Sequence, residues 1–477
     1  MARHFFLHIH SMVEKKGFFM KEYDTIAAIA TGTTNAGISI IRLSGTEALS
    51  IADSIFVSKK KKKLALQKSH TLHYGMIVEN GQMVDEVLVS VMRAPNTYTR
   101  EDVVEINCHG GMIVTRKILE LVLWAGARLA EPGEFTKRAF LNGRMDLSQA
   151  EAVIDLIHAT NEQAVKNSAR QLNGNLYKKI KELRESIVLD TAFIEAALDD
   201  PEHISLDGFT DTLGEHTSKN LREIEVLLKH AEDGKIIKEG IRTVILGKPN
   251  AGKSTLMNAL VGEDRAIVTD IPGTTRDTLE ELIQLKGIVL RIIDTAGIHH
   301  TQDVVEQIGV ERAKTEAEGA DFVIYVADAS RELDENDEAV ISMIQEKKAV
   351  VLLNKSDLLM KVTKEELEQR TGKQVFVVSA KEEIGLEAFI TAVEAMFYQG
   401  LIDTKEEVFI TNLRHKQALL EAKESLLRVM ESLELCMPED FYAIDLMNAY
   451  QMLGEIIGEA VDEDLIDTIF KEFCMGK

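Results

Sequence analysis

The chain is poor in cysteine: 477 residues contain three, Cys108, Cys436 and Cys474. So sparse and odd a set excludes the disulfide scaffold of a small secreted domain and points to a reducing compartment, hence the cytoplasm. No apolar run approaches the ~18 residues of a membrane span, so no membrane association is expected. No secretory leader is expected either, because His8 and His10 interrupt the short apolar stretch Phe5–Leu7 and no small-residue cleavage site follows. Positive charge is also short. With 55 Lys and Arg against 78 Asp and Glu, the formal net charge is −23, which argues against a generic, whole-surface nucleic-acid binder. What is present is enough for folding: 45% apolar residues beside 28% charged ones exclude a wholly disordered chain. At roughly 150 residues per domain the length suggests about three domains.

The charge is unevenly spread. Residues 1–150 hold 19 basic and 15 acidic side chains, a net of +4, so the remainder sums to −27. The run Lys59–Lys63 reads first as a solvated loop, with an RNA-phosphate contact as the sharper alternative. Residues 1–23 read as a disordered tail, its first 19 residues dispensable and Met20 opening the working protein. His4, His8 and His10 fall within it. Order is expected from about Asp24, because Ile26–Ile29 is the first β-like apolar run.

Three kinds of pattern follow. Residues 24–141 read as mixed α/β, with β-branched runs at Ile38–Arg42, Val87–Val91 and Val103–Ile106 and a helix near Thr115–Leu123. Residues 142–239 turn helical: Leu147, Ala150, Val153, Ile154 and Ile157 fall at helical spacing, as do Leu221, Ile224, Leu228 and Ala231. Between these, Asp199–Gly214 reads as a loop. Residues 240–400 alternate strand and helix, with strands at Thr243–Leu246, Ile288–Ile293, Phe322–Ala327, Val350–Leu353 and Val375–Val378. That implies a mostly parallel sheet covered by helices. Residues 401–477 return to helix. The fold class expected is therefore α/β plus all-α, with an N-terminal mixed α/β domain, a helical domain in two parts and an inserted α/β domain, which the motifs that follow mark as a Ras-like P-loop GTPase domain.

The inserted region holds the chemistry. Gly247-Lys248-Pro249-Asn250-Ala251-Gly252-Lys253-Ser254 matches G-x-x-x-x-G-K-S, after a strand and before a helical run expected near Thr255. In that context backbone N–H groups close around phosphate oxygens, Lys253 reaches the β- and γ-phosphates and Ser254 ligates Mg²⁺. Asp294-Thr295-Ala296-Gly297 ends the next strand, with Asp294 toward Mg²⁺ and the Gly297 amide toward the γ-phosphate. Asn354-Lys355-Ser356-Asp357 ends another, and a carboxylate such as Asp357 accepts two hydrogen bonds from guanine N1 and N2, which adenine does not offer. Ser379-Ala380-Lys381 would buttress the base. Ras-like GTPases orient water with a Gln directly after D-x-x-G. Here Ile298 stands there, so the catalytic group lies elsewhere; Asp303, Glu306, Glu311 and Arg312 are all open on this reading.

Asn250, the stretch Thr269-Asp270-Ile271-Pro272-Gly273-Thr274-Thr275-Arg276-Asp277 and the terminal Phe473-Cys474-Met475-Gly476-Lys477 resemble the MnmE (TrmE) tRNA-modification GTPases. So do Ile41–Gly45, Arg100–Glu105, Pro132–Phe135 and Arg138–Asn142. The resemblance runs from about Asp24 to Lys477. It implies a folate-binding, dimerising N-terminal domain and a homodimer that works in a heterotetramer with a FAD-containing partner, MnmG. The implied reaction adds a carboxymethylaminomethyl or aminomethyl group to carbon 5 of the wobble uridine (position 34) of certain tRNAs. The one-carbon unit would come from 5,10-methylene- or 5-formyl-tetrahydrofolate.

By the same resemblance, residues 250–255 and 269–275 belong to the GTP site, including Ala251, Gly252, Thr255, Asp270, Pro272 and Gly273. Asn250, Thr269, Ile271 and Thr274 are implied K⁺ ligands, and Ser254 and Thr275 Mg²⁺ ligands. Glu306 matches the catalytic glutamate. Arg42, Glu105, Arg144 and Lys477 match folate contacts, and Cys474 is a possible functional thiol. A ribosome-assembly GTPase that binds RNA without modifying it is the alternative, and a folate enzyme with a merely regulatory GTPase a third reading. The first should lack the N-terminal folate region and the terminal motif.

Overall fold

The computed structural model describes residues 24–32, 34–59, 62–205, 208–229, 231–265, 281–285, 288–293, 317–398, 410–459, 461, 463–471, 473 and 476. The expectation for residues 1–23 therefore lies outside them. The chain forms two compact units. One takes in the chain up to Ile154, Arg170–Glu225 and Gln417–Lys477; the other takes in Asp155–Ala169 and Val226–Lys416.

The first unit opens with a seven-stranded sheet: β1 (Ile26–Ile29), β2 (Ile38–Ser44), β3 (Phe56–Ser58), β4 (Thr71–Glu79), β5 (Gln82–Met92), β6 (Val103–His109) and β7 (Arg128–Leu129). Their order is β3-β4-β5-β6-β2-β1-β7, antiparallel except for β1 beside β7. Side chains alternate between faces with period two. Ile41, Leu43, Val87, Val89, Val91, Val104 and Ile106 therefore form one core with Ile51 and Ala52 of the helix Ala48–Ile55 and Ile118 and Val122 of the helix Met112–Trp124. The same alternation turns Arg42 and Glu105, direct cross-strand partners, to the opposite face. Lys59, Lys62 and Lys63 are exposed.

Helices complete this unit. The helix Asn175–Asp199 packs along Glu439–Ile457. There Arg184 is buried, pairs with Glu459 and lies 4.0 Å over the Tyr450 ring. The expected loop at Asp199–Gly214 is shorter than its composition suggests, because the next helix already begins at Phe209. The reason is packing: the Phe209 ring lies 4.5 Å from that of Phe193 and Leu213 is fully buried. Tertiary contact outweighs the weak helix propensity of Asp and Gly. The helix Glu463–Lys471 brings Ile466, Phe470 and Phe473 into a core with Ala139, Leu147 and Ala150.

The second unit is a six-stranded sheet: β8 (Ile241–Leu246), β9 (Glu281–Leu285), β10 (Ile288–Ile292), β11 (Phe322–Asp328), β12 (Ala349–Asn354) and β13 (Val375–Val377). The order is β13-β12-β11-β8-β10-β9. All pairs are parallel except β9 with β10. The five strands read from the sequence are present; β9 is additional. β11 and β12 are buried along their whole length, as a sheet covered on both faces requires. From β8 the chain runs outward to both sides, and the crevice beyond the carboxyl end of such a strand is where open α/β sheets take ligands. The architecture is thus an N-terminal mixed α/β domain, a helical domain, and a Ras-like P-loop domain that interrupts the helical one.

Candidate nucleotide site and N-terminal cleft

The turn after β8 is shaped by close backbone approach. Gly247 has φ 149°, and a Cβ there would lie 2.4 Å from the Val326 carbonyl oxygen; Gly252 has φ 99°, and its Cβ would meet Asn354 Nδ2 at 2.2 Å. Asn250 adopts φ 64°, a left-handed conformation that Asn tolerates better than most residues. The following helix, Lys253–Arg265, starts at Lys253 rather than near Thr255. A helix N-terminus directly after a strand end is a ready anion site, because its first-turn N–H groups and the helix dipole face that way. Lys253 Nζ donates to the Gly247 carbonyl at 2.6 Å and the Lys248 carbonyl at 2.9 Å. Burial pushes its pKa below the usual lysine value. Ser254 and Thr255 are exposed.

A single buried side chain ties this turn to the base side. Asn354, at the end of β12, donates through Nδ2 to the Ala251 carbonyl at 2.8 Å and accepts at Oδ1 from the Ala380 N–H at 2.9 Å. Lys355 takes φ 65° and reaches Asp328 Oδ2 at 2.7 Å. Burial raises the Asp328 pKa, but hydrogen bonds from Lys355 and Ser330 outweigh it and hold the carboxyl below its usual range. Asp357 is exposed and accepts from Ser379 Oγ at 2.6 Å, which holds it ionised below the usual carboxylate range. Lys381 is exposed beside this turn. Thr269–Thr275, Asp294–Gly297 and Glu306 lie outside the described residues.

The second cluster belongs to the N-terminal sheet. Arg42 Nε donates to Glu105 Oε1 at 2.8 Å and its Nη1 to the Gly476 carbonyl at 3.2 Å. The Arg42 guanidinium sits 5.8 Å from the Tyr98 ring and 5.7 Å from that of Phe135. Arg144 lies 4.6 Å over Tyr98, whose hydroxyl is 2.9 Å from Thr136 Oγ1. At Gly476, φ is 89° and a Cβ would come within 2.3 Å of the Ile29 carbonyl oxygen. The end of the chain is thus pressed against β1 and contributes to the cleft. Arg42, Glu105 and Arg144 are brought together; Lys477 and Cys474 lie outside the described residues.

The wall behind this cleft explains other motif residues. Arg138, 2% exposed, bonds to Glu101, Glu134 and Asp24, and Arg128 bonds to Asp24 and Glu134. A buried guanidinium is tolerated when its donors are met by carboxylates in good geometry. Arg138 is enclosed by these carboxylates, whereas Arg128 and Asp24 remain about half exposed.

Comparison with known proteins adds the family. A family model described as the MnmE helical domain matches residues 147–474, and one described as GTP-binding protein TrmE N-terminus matches residues 25–144. The tRNA modification GTPase MnmE of Lachnoclostridium phytofermentans is 58% identical over 455 residues, covering 95% of this chain and 99% of that protein. The chain belongs to the MnmE family. The MnmE proteins of Alkaliphilus oremlandii and Clostridioides difficile are 50% and 49% identical, each covering 95% of this chain and 99% of their own. Among solved structures, the G domain of the T. maritima FeoB iron transporter aligns with 32% of this chain and 97% of its own, at 26% identity and a TM-score of 0.25. That likeness is too slight to add to the strand order of the MnmE-family G domain.

Three contributors escaped the sequence. Tyr98 supplies the ring beneath both arginines, although its nearness to Arg100–Glu105 was a usable signal. Asp328 holds Lys355 but sits at a strand end with no motif around it. Lys248 occupies a position that the phosphate-loop pattern leaves free.

Proposed function

We propose that this MnmE-family GTPase is potassium-dependent and acts on tRNA. With a FAD-containing partner it places a carboxymethylaminomethyl or aminomethyl group on carbon 5 of the wobble uridine, drawing the one-carbon unit from a tetrahydrofolate. The observation that most favours this reading is that one chain holds both a guanine-nucleotide frame braced by Asn354 and a separate arginine-lined cleft around Tyr98. A ribosome-assembly GTPase has no use for the second. A homodimer, a heterotetramer with the partner and a cytoplasmic location belong to the same reading; no helix among the described residues is long and apolar enough to cross a membrane.

In the nucleotide site, Lys253 and the first turn of its helix neutralise the phosphates. Asp357, already ionised, accepts the guanine N–H pair. Asn354 keeps phosphate loop and base loop in register. Glu306 acts on the attacking water. The exposed Ser254 hydroxyl and the Asn250 carboxamide oxygen are hard oxygen donors of the kind Mg²⁺ and K⁺ take. Thr275 would complete the Mg²⁺ site, and Thr269, Ile271 and Thr274 the K⁺ site. Bound there, the two cations supply positive charge against developing phosphate charge. In the cleft, Arg42 and Arg144 suit the carboxylates of a folate glutamate tail, Glu105 suits the N–H edge of a pterin, and the Tyr98 ring offers a flat apolar face. Lys477 would add a further cation.

The deciding experiment is mass spectrometry of tRNA from a strain lacking this protein. The expected result is loss of the carbon-5 substituent at the wobble uridine; an unchanged nucleoside would reject the tRNA-modifying role. Replacing K⁺ by Na⁺ in a hydrolysis assay should lower turnover, and indifference would remove the potassium role.

A further inference from the structure

Lys248 is the second residue of the phosphate loop, and nothing about nucleotide recognition requires a lysine there. Its Nζ lies 2.8 Å from Asp334 Oδ2 and 2.6 Å from Asp337 Oδ2. Both carboxylates are held in place. Asp334 caps the helix Glu335–Ile344 by accepting from the Asn336 and Asp337 N–H groups, and Asp337 closes the reciprocal half of this capping box. Asp337 is 2% exposed, and its Oδ1 accepts from the Tyr325 hydroxyl at 2.8 Å. Tyr325 is fully buried in β11.

The backbone of the same residue faces the other way. The Lys248 carbonyl accepts from Lys253 Nζ at 2.9 Å and from the Ala251 N–H at 3.2 Å. A continuous chain of contacts therefore runs from β11 through Asp337 and Lys248 to the lysine that meets the phosphates.

We propose that Lys248 is a positioning residue for the GTPase: its double carboxylate anchor fixes the carbonyl that aims Lys253 at the phosphates. The proposal rests on the GTPase reading of this site. It acts through Lys253 and makes no demand on Lys248 itself touching nucleotide. An anchor to two pre-placed carboxylates suits the task, since a small misplacement of a reacting group is costly.

The test uses the full-length protein and fluorescent GDP and GTP. Lys248→Met keeps the aliphatic stem and removes the anchor; nucleotide dissociation should accelerate about tenfold, with KM for GTP rising more than kcat falls. Lys248→Arg, which can bridge both carboxylates, should restore most of the loss. The decisive arm is a double-mutant cycle. In a Lys253→Ala background, Lys248→Met should change dissociation by less than about twofold, because its route is already cut. An equal effect in both backgrounds would overturn the proposal, as would an unaltered Lys248→Met. If Lys248→Met does not fold, Asp334→Asn in the same cycle gives the same two outcomes. Failure of the wild-type protein to bind GTP would instead reject the GTPase reading itself.

Discussion

The nucleotide frame and the N-terminal cleft are built in opposite ways. The nucleotide frame hangs from consecutive strand ends of one sheet, so each working residue arrives with its neighbours as a short motif: Gly247–Ser254 after β8, Asn354–Asp357 after β12, Ser379–Lys381 after β13. The cleft collects single residues from distant segments. Arg42 comes from β2, Glu105 from β6, Tyr98 from a connection, Arg144 from beyond the helix Glu134–Leu141, and Gly476 from the end of the chain. A parallel sheet concentrates chemistry at one edge. An antiparallel sheet with one open face scatters it, because its period-two alternation turns only isolated side chains to that face.

That difference predicts where single substitutions bite hardest. The largest effect is expected at Glu306. Glu306→Ala should leave GTP binding intact and slow hydrolysis by about 10² or more, the size seen when a preorganised electrostatic group is removed. Single-turnover hydrolysis in K⁺ measures it; equal turnover would return the catalytic role to Asp303, Glu311 or Arg312.

Next comes the brace that makes the nucleotide site one unit. Asn354→Ala strands the Ala251 carbonyl and the Ala380 N–H together. Leaving such buried groups unpaired costs roughly 2 kcal/mol, a factor of about 30 in GDP affinity if the loss falls on the bound state. Titration with fluorescent GDP reads it. Were affinity to hold, the phosphate and base loops would be independent, and the nucleotide site would be as dispersed as the cleft.

The cleft should yield a smaller loss per residue, because its contacts are shared. Arg42→Met removes charge-assisted bonds to Glu105 and to the chain end, and leaves Arg144 over Tyr98. Tetrahydrofolate affinity should fall about tenfold, near the low end for hydrogen bonds to charged groups. Isothermal titration with 5-formyl-tetrahydrofolate tests this, and undiminished binding would move the folate site away from Arg42.

The same contrast explains what was legible beforehand. The parallel sheet and its strands at Thr243–Leu246 and Phe322–Ala327 could be read because buried strands are continuous apolar runs, and the loop after the first because it carries the G-x-x-x-x-G-K-S pattern. β9 was missed, since Glu281–Leu285 has no such run and gains its place by pairing with β10. The helical character of residues 142–239 was legible, but not the bounds of the long helix Asn175–Asp199, whose buried Arg184 and Asp190 break the apolar stripe that periodicity relies on. In the cleft, Arg42, Glu105 and Arg144 came only from the resemblance to the MnmE family. No rule of spacing joins residues so far apart, and Tyr98, which lies under both arginines, carried no motif of its own. Register across β2 and β6 makes Arg42 and Glu105 neighbours, and register is tertiary information.

The smallest expected effect separates the two regions by pH. Asp24 is held below its usual pKa, mainly by the Arg128 hydrogen bond. For Glu134 burial pulls upward, yet the bonds from Arg128, the Glu131 N–H and Arg138 outweigh it and hold the carboxyl below 4.5. Both groups bind protons less readily folded than unfolded. Their stabilisation is thus full above the unfolded values and lost as pH falls through the folded ones. The single tryptophan of the chain, Trp124, ends the helix Met112–Trp124 on this sheet, so its fluorescence follows the N-terminal region alone. Urea unfolding watched through Trp124 should shift to lower midpoint between pH 6 and about pH 3.5, and Glu134→Gln should flatten that shift. If the shift were as steep in Glu134→Gln, the wall behind the cleft would owe its acid sensitivity to other carboxylates, with Asp24 and Glu101, the remaining partners of Arg138, the first to substitute.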